Sequence, residues 1–142
     1  FRLKEADADG FMFVLQNKGP DALGGYGGGL GINGIKPAFG IGVRYWKKQV
    51  LKFYENGKFI KNVELKGIDL KSGHLYRLDL KYDGKTLNIL LVNVNAKLVF
   101  PFTYQVIIPA AVRAKQAFAG FTGGTGGATA IQEILTWEYD EK

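Results

Sequence analysis

Residues 74–92, HLYRLDLKYDGKTLNILLV, alternate on either side of an Asp83-Gly84 pair. Tyr76, Leu78, Leu80 and Tyr82 lie on one parity; Leu75, Arg77, Asp79 and Lys81 lie on the other. Side chains of a strand alternate between its two faces, and Asp-Gly supplies the positive φ of a tight turn. The stretch predicts an antiparallel hairpin with one half-buried face. Residues 49–65 predict a second hairpin, with Asn56-Gly57 between Val50, Leu51, Phe53 and Phe59, Ile60, Val63. Residues 10–16, 38–46, 116–123 and 130–139 read as further strands, and 108–115 as at most a single helical turn. No segment sustains a helical period beyond that. The expectation is an all-β sandwich of two antiparallel sheets.

Bulk properties narrow the function classes. The 142 residues fit one domain, and 46% hydrophobic with 23% charged residues allows a packed core. No apolar run reaches the roughly 18 residues of a membrane-spanning helix. With Phe1 rather than Met at the start, and no charged-then-apolar leader, the sequence is expected to be a mature or excised product. The absence of cysteine excludes disulfides, thiol catalysis and Cys-based zinc sites, and a lone His74 excludes a His-built metal cluster. Net charge is +6, with basic residues gathered between Lys36 and Lys66. A polyanion such as nucleic acid or an acidic glycan would suit that charge. No nucleic-acid motif accompanies it, so a basic solvent face is the expected reading.

Residues 21–35, DALGGYGGGLGINGI, hold seven glycines. Gly29, Gly31 and Gly34 spell G-x-G-x-x-G, yet a dinucleotide fingerprint needs a strand immediately before it and a helix after it. Here a long loop precedes the glycines and Pro37 with another strand follows. The glycines are therefore expected to build a tightly folded surface loop that lets a ligand approach bare amides. Catalysis finds little support. Glu133, Glu138, Asp140 and Glu141 sit on mixed parities, without the paired carboxylates a glycosidase needs. His74, after Ser72-Gly73, is expected in solvent with no triad around it. Trp137 reads as core, beside Ile134, Leu135 and Tyr139. Trp46 is expected to be partly exposed, at the core edge or as an aromatic contact for a sugar or partner.

Three stretches together resemble L-type, legume-lectin-like domains, especially those of bacteria: residues 8–36, with Ala-Asp-Gly and the glycine loop; residues 73–91; and residues 117–139, with Gly-Phe-Thr, Gly-Gly-Ala-Thr and Ile-Leu-x-Trp. The resemblance implies a concanavalin-like jelly-roll of two antiparallel sheets and non-catalytic sugar binding, outside the cell or on its surface. It implies that Asp9, after a cis Ala8–Asp9 peptide, accepts hydrogen bonds from two sugar hydroxyls. The amide of Gly28 or Gly29 would donate to the same sugar, and residues 123–129, with Thr125 and Gly126, would form the specificity wall.

The chain departs from that family in two ways. The acidic metal ligands on the strand after the glycine loop fall at Gly42 and Arg44, and the ligand loop beyond shrinks to KKQ at 47–49. Calcium takes about six to eight oxygen ligands, so no metal cofactor is expected at the family site. Arg44 is expected to replace the ion by pairing with Asp9 or Asp7. Second, only FRLK precedes the Ala-Asp-Gly region, where about 60–80 residues are expected in a complete jelly-roll. Residues 1–142 would then be the C-terminal two-thirds of one such domain, completed by an upstream segment or a second polypeptide, unless the fold itself is reduced. The alternative to a glycan-binding module is a degenerate lectin scaffold used for assembly, with its missing strands supplied in trans.

Overall fold

A computed structural model describes residues 1–141. Ten strands run in the order β1 (Arg2–Lys4), β2 (Gly10–Gln16), β3 (Ala38–Arg44), β4 (Val50–Glu55), β5 (Lys58–Glu64), β6 (Tyr76–Tyr82), β7 (Thr86–Asn93), β8 (Leu98–Gln105), β9 (Phe118–Gly124) and β10 (Ile131–Glu133). One short helix, α1 (Ile108–Val112), takes up the expected helical turn. The strands form an antiparallel five-stranded sheet ordered β5-β4-β3-β2-β9, a three-stranded sheet β6-β7-β8, and a β1-β10 pair. The fold is an all-β, jelly-roll type sandwich. Among the described residues no helix is long and apolar enough to cross a membrane.

Local chemistry explains the hairpins. Asn56 and Gly57, at φ 51° and 74°, form the two-residue turn between β4 and β5. Asp83 accepts hydrogen bonds from the amides of Lys85 and Thr86 at 2.9 and 2.7 Å and so closes the β6–β7 turn. Register then sorts the side chains. Phe11 pairs with Val43, and Ile41 with Phe53, so these residues share the face that packs on Leu87, Ile89, Leu91 and Tyr104 of the second sheet. Phe53 stacks on Tyr104 with ring centroids 4.3 Å apart. Burying a side chain of this kind contributes about 1.5–3 kcal/mol.

The other face of the five-stranded sheet is covered by the glycine loop. Leu30 and Ile32 pack on Met12, Val14 and Tyr54 as a smaller apolar cluster. Gly40 makes this possible: a Cβ there would stand 2.1 Å from Ile32 Cδ1. The loop is thus fastened to the sheet by its own apolar residues.

One strand was not expected, and two expectations are corrected. Strand β8 carries Pro101 and has no clean turn signal before it; as an edge strand it tolerates the missing N–H. The strand expected over 130–139 is reduced to Ile131–Glu133, which pairs with the three residues of β1; among the described residues the chain beyond Glu133 joins no ladder. Trp137 is consequently not core: it is 51% exposed and meets Phe121 edge-on at 5.6 Å.

Burial raises the hydroxyls of Tyr45, Tyr54, Tyr76 and Tyr104 above the ordinary tyrosine range, with Glu55 adding to the effect at Tyr104. Unfolded tyrosines lose their protons from about pH 10, while these keep theirs. The native state then binds more protons than the unfolded one, so stability falls as pH rises. Denaturant unfolding followed across the alkaline range is expected to show this loss, with a further step in tyrosinate absorbance as unfolding releases these four hydroxyls. A flat profile would contradict it.

Candidate functional site

Asp9 lies just before β2, after a cis Ala8–Asp9 peptide. Its backbone is pinned on both sides. Its amide donates to the Gly124 carbonyl at 3.0 Å, and its carbonyl accepts from the Tyr45 amide at 2.9 Å. The Asp9 side chain is buried, with the residue 7% exposed, yet its carboxylate has no hydrogen-bond partner among the described residues. Its oxygens are not among the unpartnered side-chain atoms sealed from solvent, so they are open to a donor from outside.

The glycine loop closes directly over this group. A Cβ on Gly27, which has φ 55°, would stand 3.6 Å from Asp9 Oδ2. Residues 27–29 form a single 3-10 turn, and the Gly27 amide donates to the Thr125 carbonyl at 3.2 Å. Thr122 Oγ1 donates to the Leu30 carbonyl at 2.8 Å. Gly124 allows the two segments to meet, since a Cβ there would stand 2.3 Å from the Gly27 carbonyl oxygen. Asp9, the turn at Gly28 and the 124–129 segment therefore converge, from three places far apart in sequence.

The two candidate amides differ. Gly29 N–H already donates to the Tyr26 carbonyl at 3.0 Å, whereas Gly28 is exposed and its N–H has no partner among the described residues. Thr125 is exposed, with its carbonyl engaged by Gly27, and the Gly126 amide donates to the Ala128 carbonyl at 3.1 Å.

Arg44 forms no ion pair with Asp9 or Asp7, contrary to expectation. It stands opposite Gly10 in the β2–β3 register, and its guanidinium carbon lies 5.3 Å from the Trp46 ring centroid. Attraction to the ring face draws the guanidinium onto Trp46 rather than onto a carboxylate. Arg44 Nε is shut off from solvent without a hydrogen-bond partner. Lys47 Nζ lies 4.5 Å from the same ring, so Trp46, although 41% exposed, is already engaged by two cations.

The cation that touches the loop is Lys52. Its Nζ donates to the Gly28 carbonyl at 3.1 Å. Lys52 pairs with Gly42 in the β3–β4 register, on the face the loop covers, and is only 9% exposed. Burial, and then Arg44, lower its ammonium below the usual lysine range, while Asp9 pulls it back. Sequence reasoning missed Lys52, because an alternating lysine on a hairpin strand reads as solvent-facing until the covering loop is seen. It also missed Tyr26, which is 89% exposed beside Gly27. The signal was an aromatic inside a glycine run.

Elsewhere, His74 is half-buried rather than in solvent, with Nδ1 3.0 Å from Asn93 Nδ2. A groove of about 540 Å³ beside Glu55 and Lys85 holds a carboxylate already engaged, since Tyr104 donates its hydroxyl proton to Glu55 at 2.7 Å.

No family model matches the sequence. Among solved structures, the chain superposes on a lectin UEA-II complexed with galactose, at a TM-score of 0.72 and 17% identity. The chain carries a legume-lectin-like fold. A second structure, lectin II from Ulex europaeus, gives a TM-score of 0.71 at 18% identity. Each match covers 89% of this chain, which spans 62% of the length of either lectin. At this identity the likeness concerns the lectin-like fold alone.

Proposed function

We propose that this chain is a non-catalytic, carbohydrate-binding module that reads glycans outside the cell without calcium. The observation that carries the reading is that, among the described residues, neither the carboxylate of the largely buried Asp9 nor the neighbouring Gly28 amide has a hydrogen-bond partner. A sugar supplies what both groups lack: hydroxyl donors for the carboxylate and a hydroxyl acceptor for the amide. Thr125 and Gly126 border the same cup. The lectin-like fold, and a solved neighbour complexed with galactose, support the same class of ligand.

The residues here do not fit the metal of that lectin class. At Gly42, where the family pattern calls for an acidic ligand, a Cβ would stand 2.0 Å from the Phe11 carbonyl oxygen. Arg44 and the buried Lys52 add two positive charges beside the single Asp9 carboxylate, an arrangement that repels a dication. Hydrolysis is also poorly served. Glu55 is bound to Tyr104, and Glu133 is held by Arg2 and Lys4 at 2.9 and 3.2 Å.

A glycan array probed with and without a calcium chelator tests the reading. Saturable binding that survives the chelator is the expected result. Binding abolished by the chelator would overturn metal independence, and no binding at all would overturn the module.

A second reading is favoured by the open end of the sandwich. Residues 134–141 belong to no strand; Ile134, Leu135, Trp137 and Tyr139 are exposed, and Trp137 meets Phe121 of the edge strand β9. An unpaired edge flanked by apolar side chains takes up further strands. On this reading the chain is a scaffold completed by strands from elsewhere in a parent chain or from a second polypeptide. The chain alone would then self-associate in sizing experiments, and co-expression with the completing strands would return a single defined species. A stable monomer with unchanged Trp137 accessibility would count against it.

A further inference from the structure

The positive charge next to Asp9 exceeds what Asp9 can balance. In the β2–β3 and β3–β4 registers, Gly10 faces Arg44, Arg44 faces Val50, and Gly42 faces Lys52. Side chains of one parity share a face, so Arg44 and Lys52 project diagonally from neighbouring strands on the loop-covered side of the sheet. Lys47 reaches the same place over Trp46. Asp7, two residues before Asp9, is exposed, and Lys71 lies alongside with Nζ 3.3 Å from the Asp7 carbonyl oxygen.

The Arg44 guanidinium makes no side-chain hydrogen bond or ion pair among the described residues, and its Nε is sealed from solvent as well. A guanidinium held in place by an aromatic ring, half-buried and without an acceptor, costs free energy that an arriving anion would return. Lys52 is in a similar position. It makes one hydrogen bond, to the Gly28 carbonyl, and burial together with Arg44 disfavours its charge.

We infer that Arg44 and Lys52 form an anion-recognising element beside the Asp9 cup, so that the preferred ligand is an acidic sugar. Asp9 and the Gly28 amide take hydroxyls of the ring, and Arg44 takes the anionic substituent, a carboxylate or a sulfate. Arginine matches either planar carboxylate or sulfate oxygens with paired N–H donors. The inference rests on the glycan-binding reading above and names the ligand class for that same site.

Titration calorimetry with wild-type protein tests it using matched pairs: glucuronate against glucose, galacturonate against galactose, and a 6-sulfated against an unsulfated galactose. The acidic member is expected to bind at least about tenfold more tightly at low salt, with the preference shrinking as ionic strength rises. The carboxylate and sulfate arms identify which anion is read. In Arg44→Met the preference is expected to vanish, and a circular dichroism melt of that variant checks that it folds. Equal affinity for acidic and neutral members in the wild-type protein would overturn the inference and leave the glycan-binding reading standing. Failure to bind any sugar in the panel would overturn both.

Discussion

Asparagine in place of Asp9 is expected to weaken glycan binding by at least about a hundredfold, because each hydrogen bond to a charged acceptor is worth about 1.5–3 kcal/mol and a bound sugar would make two. The amide keeps the shape of the carboxylate but loses its charge and replaces one acceptor with a donor. Folding should hardly notice. The Asp9 carboxylate makes no hydrogen bond among the described residues, so none of them is left unpaired by its removal. The Lys52 ammonium loses a favourable neighbour, while the cost of burying the Asp9 charge disappears. These oppose one another, and unfolding free energy should stay within about 1 kcal/mol of wild type. Calorimetric titration and urea unfolding on the same preparation separate the cases. Binding and stability lost together would mean that Asp9 holds the fold rather than the ligand.

Gly42→Glu should produce the largest structural effect, and it should fail at the task it imitates. It places an acidic side chain where the resemblance to calcium-binding lectins implies one. Yet the ideal Cβ at this position lies 2.0 Å from the Phe11 carbonyl oxygen and 2.6 Å from Met12 Cα, both backbone atoms of β2. Backbone in the middle of a five-stranded sheet has nowhere to go, so the strands must separate or the ladder must break. A loss of at least about 3 kcal/mol in unfolding free energy is expected, with no saturable calcium heat. A variant of native stability that takes up calcium would show that the β2–β3 approach is not the obstacle.

Much of the fold was legible because it is written locally. The alternation of Tyr76, Leu78 and Leu80, and the turns at Asn56-Gly57 and Asp83-Gly84, depend on residues near one another in sequence. The convergence of Asp9 with the glycine loop and the 124–129 segment came instead from resemblance, and the hydrogen bonds of the Asp9 and Gly27 amides match that arrangement. What stayed hidden was pairing between elements. Nothing near Lys52 announces that residues 27–32 fold over it; the contact of Arg44 with Trp46, two residues on, was by contrast within reach of the strand alternation. Strand β8 was obscured by Pro101, whose usual meaning as a strand breaker lapses at a sheet edge. The run around Trp137 has the composition of a strand, but a strand also requires a neighbour.

The free donor at the cup belongs to the main chain of Gly28, and its neighbours Gly27 and Gly124 serve by having no side chain at all. A systematic substitution scan of such a surface would register only a handful of positions, since every residue type except proline carries the same peptide N–H. Lineages descended from one ancestor could therefore diverge almost completely in letters while handling the same class of molecule. Kinship among them would survive in backbone shape long after it had faded from the text.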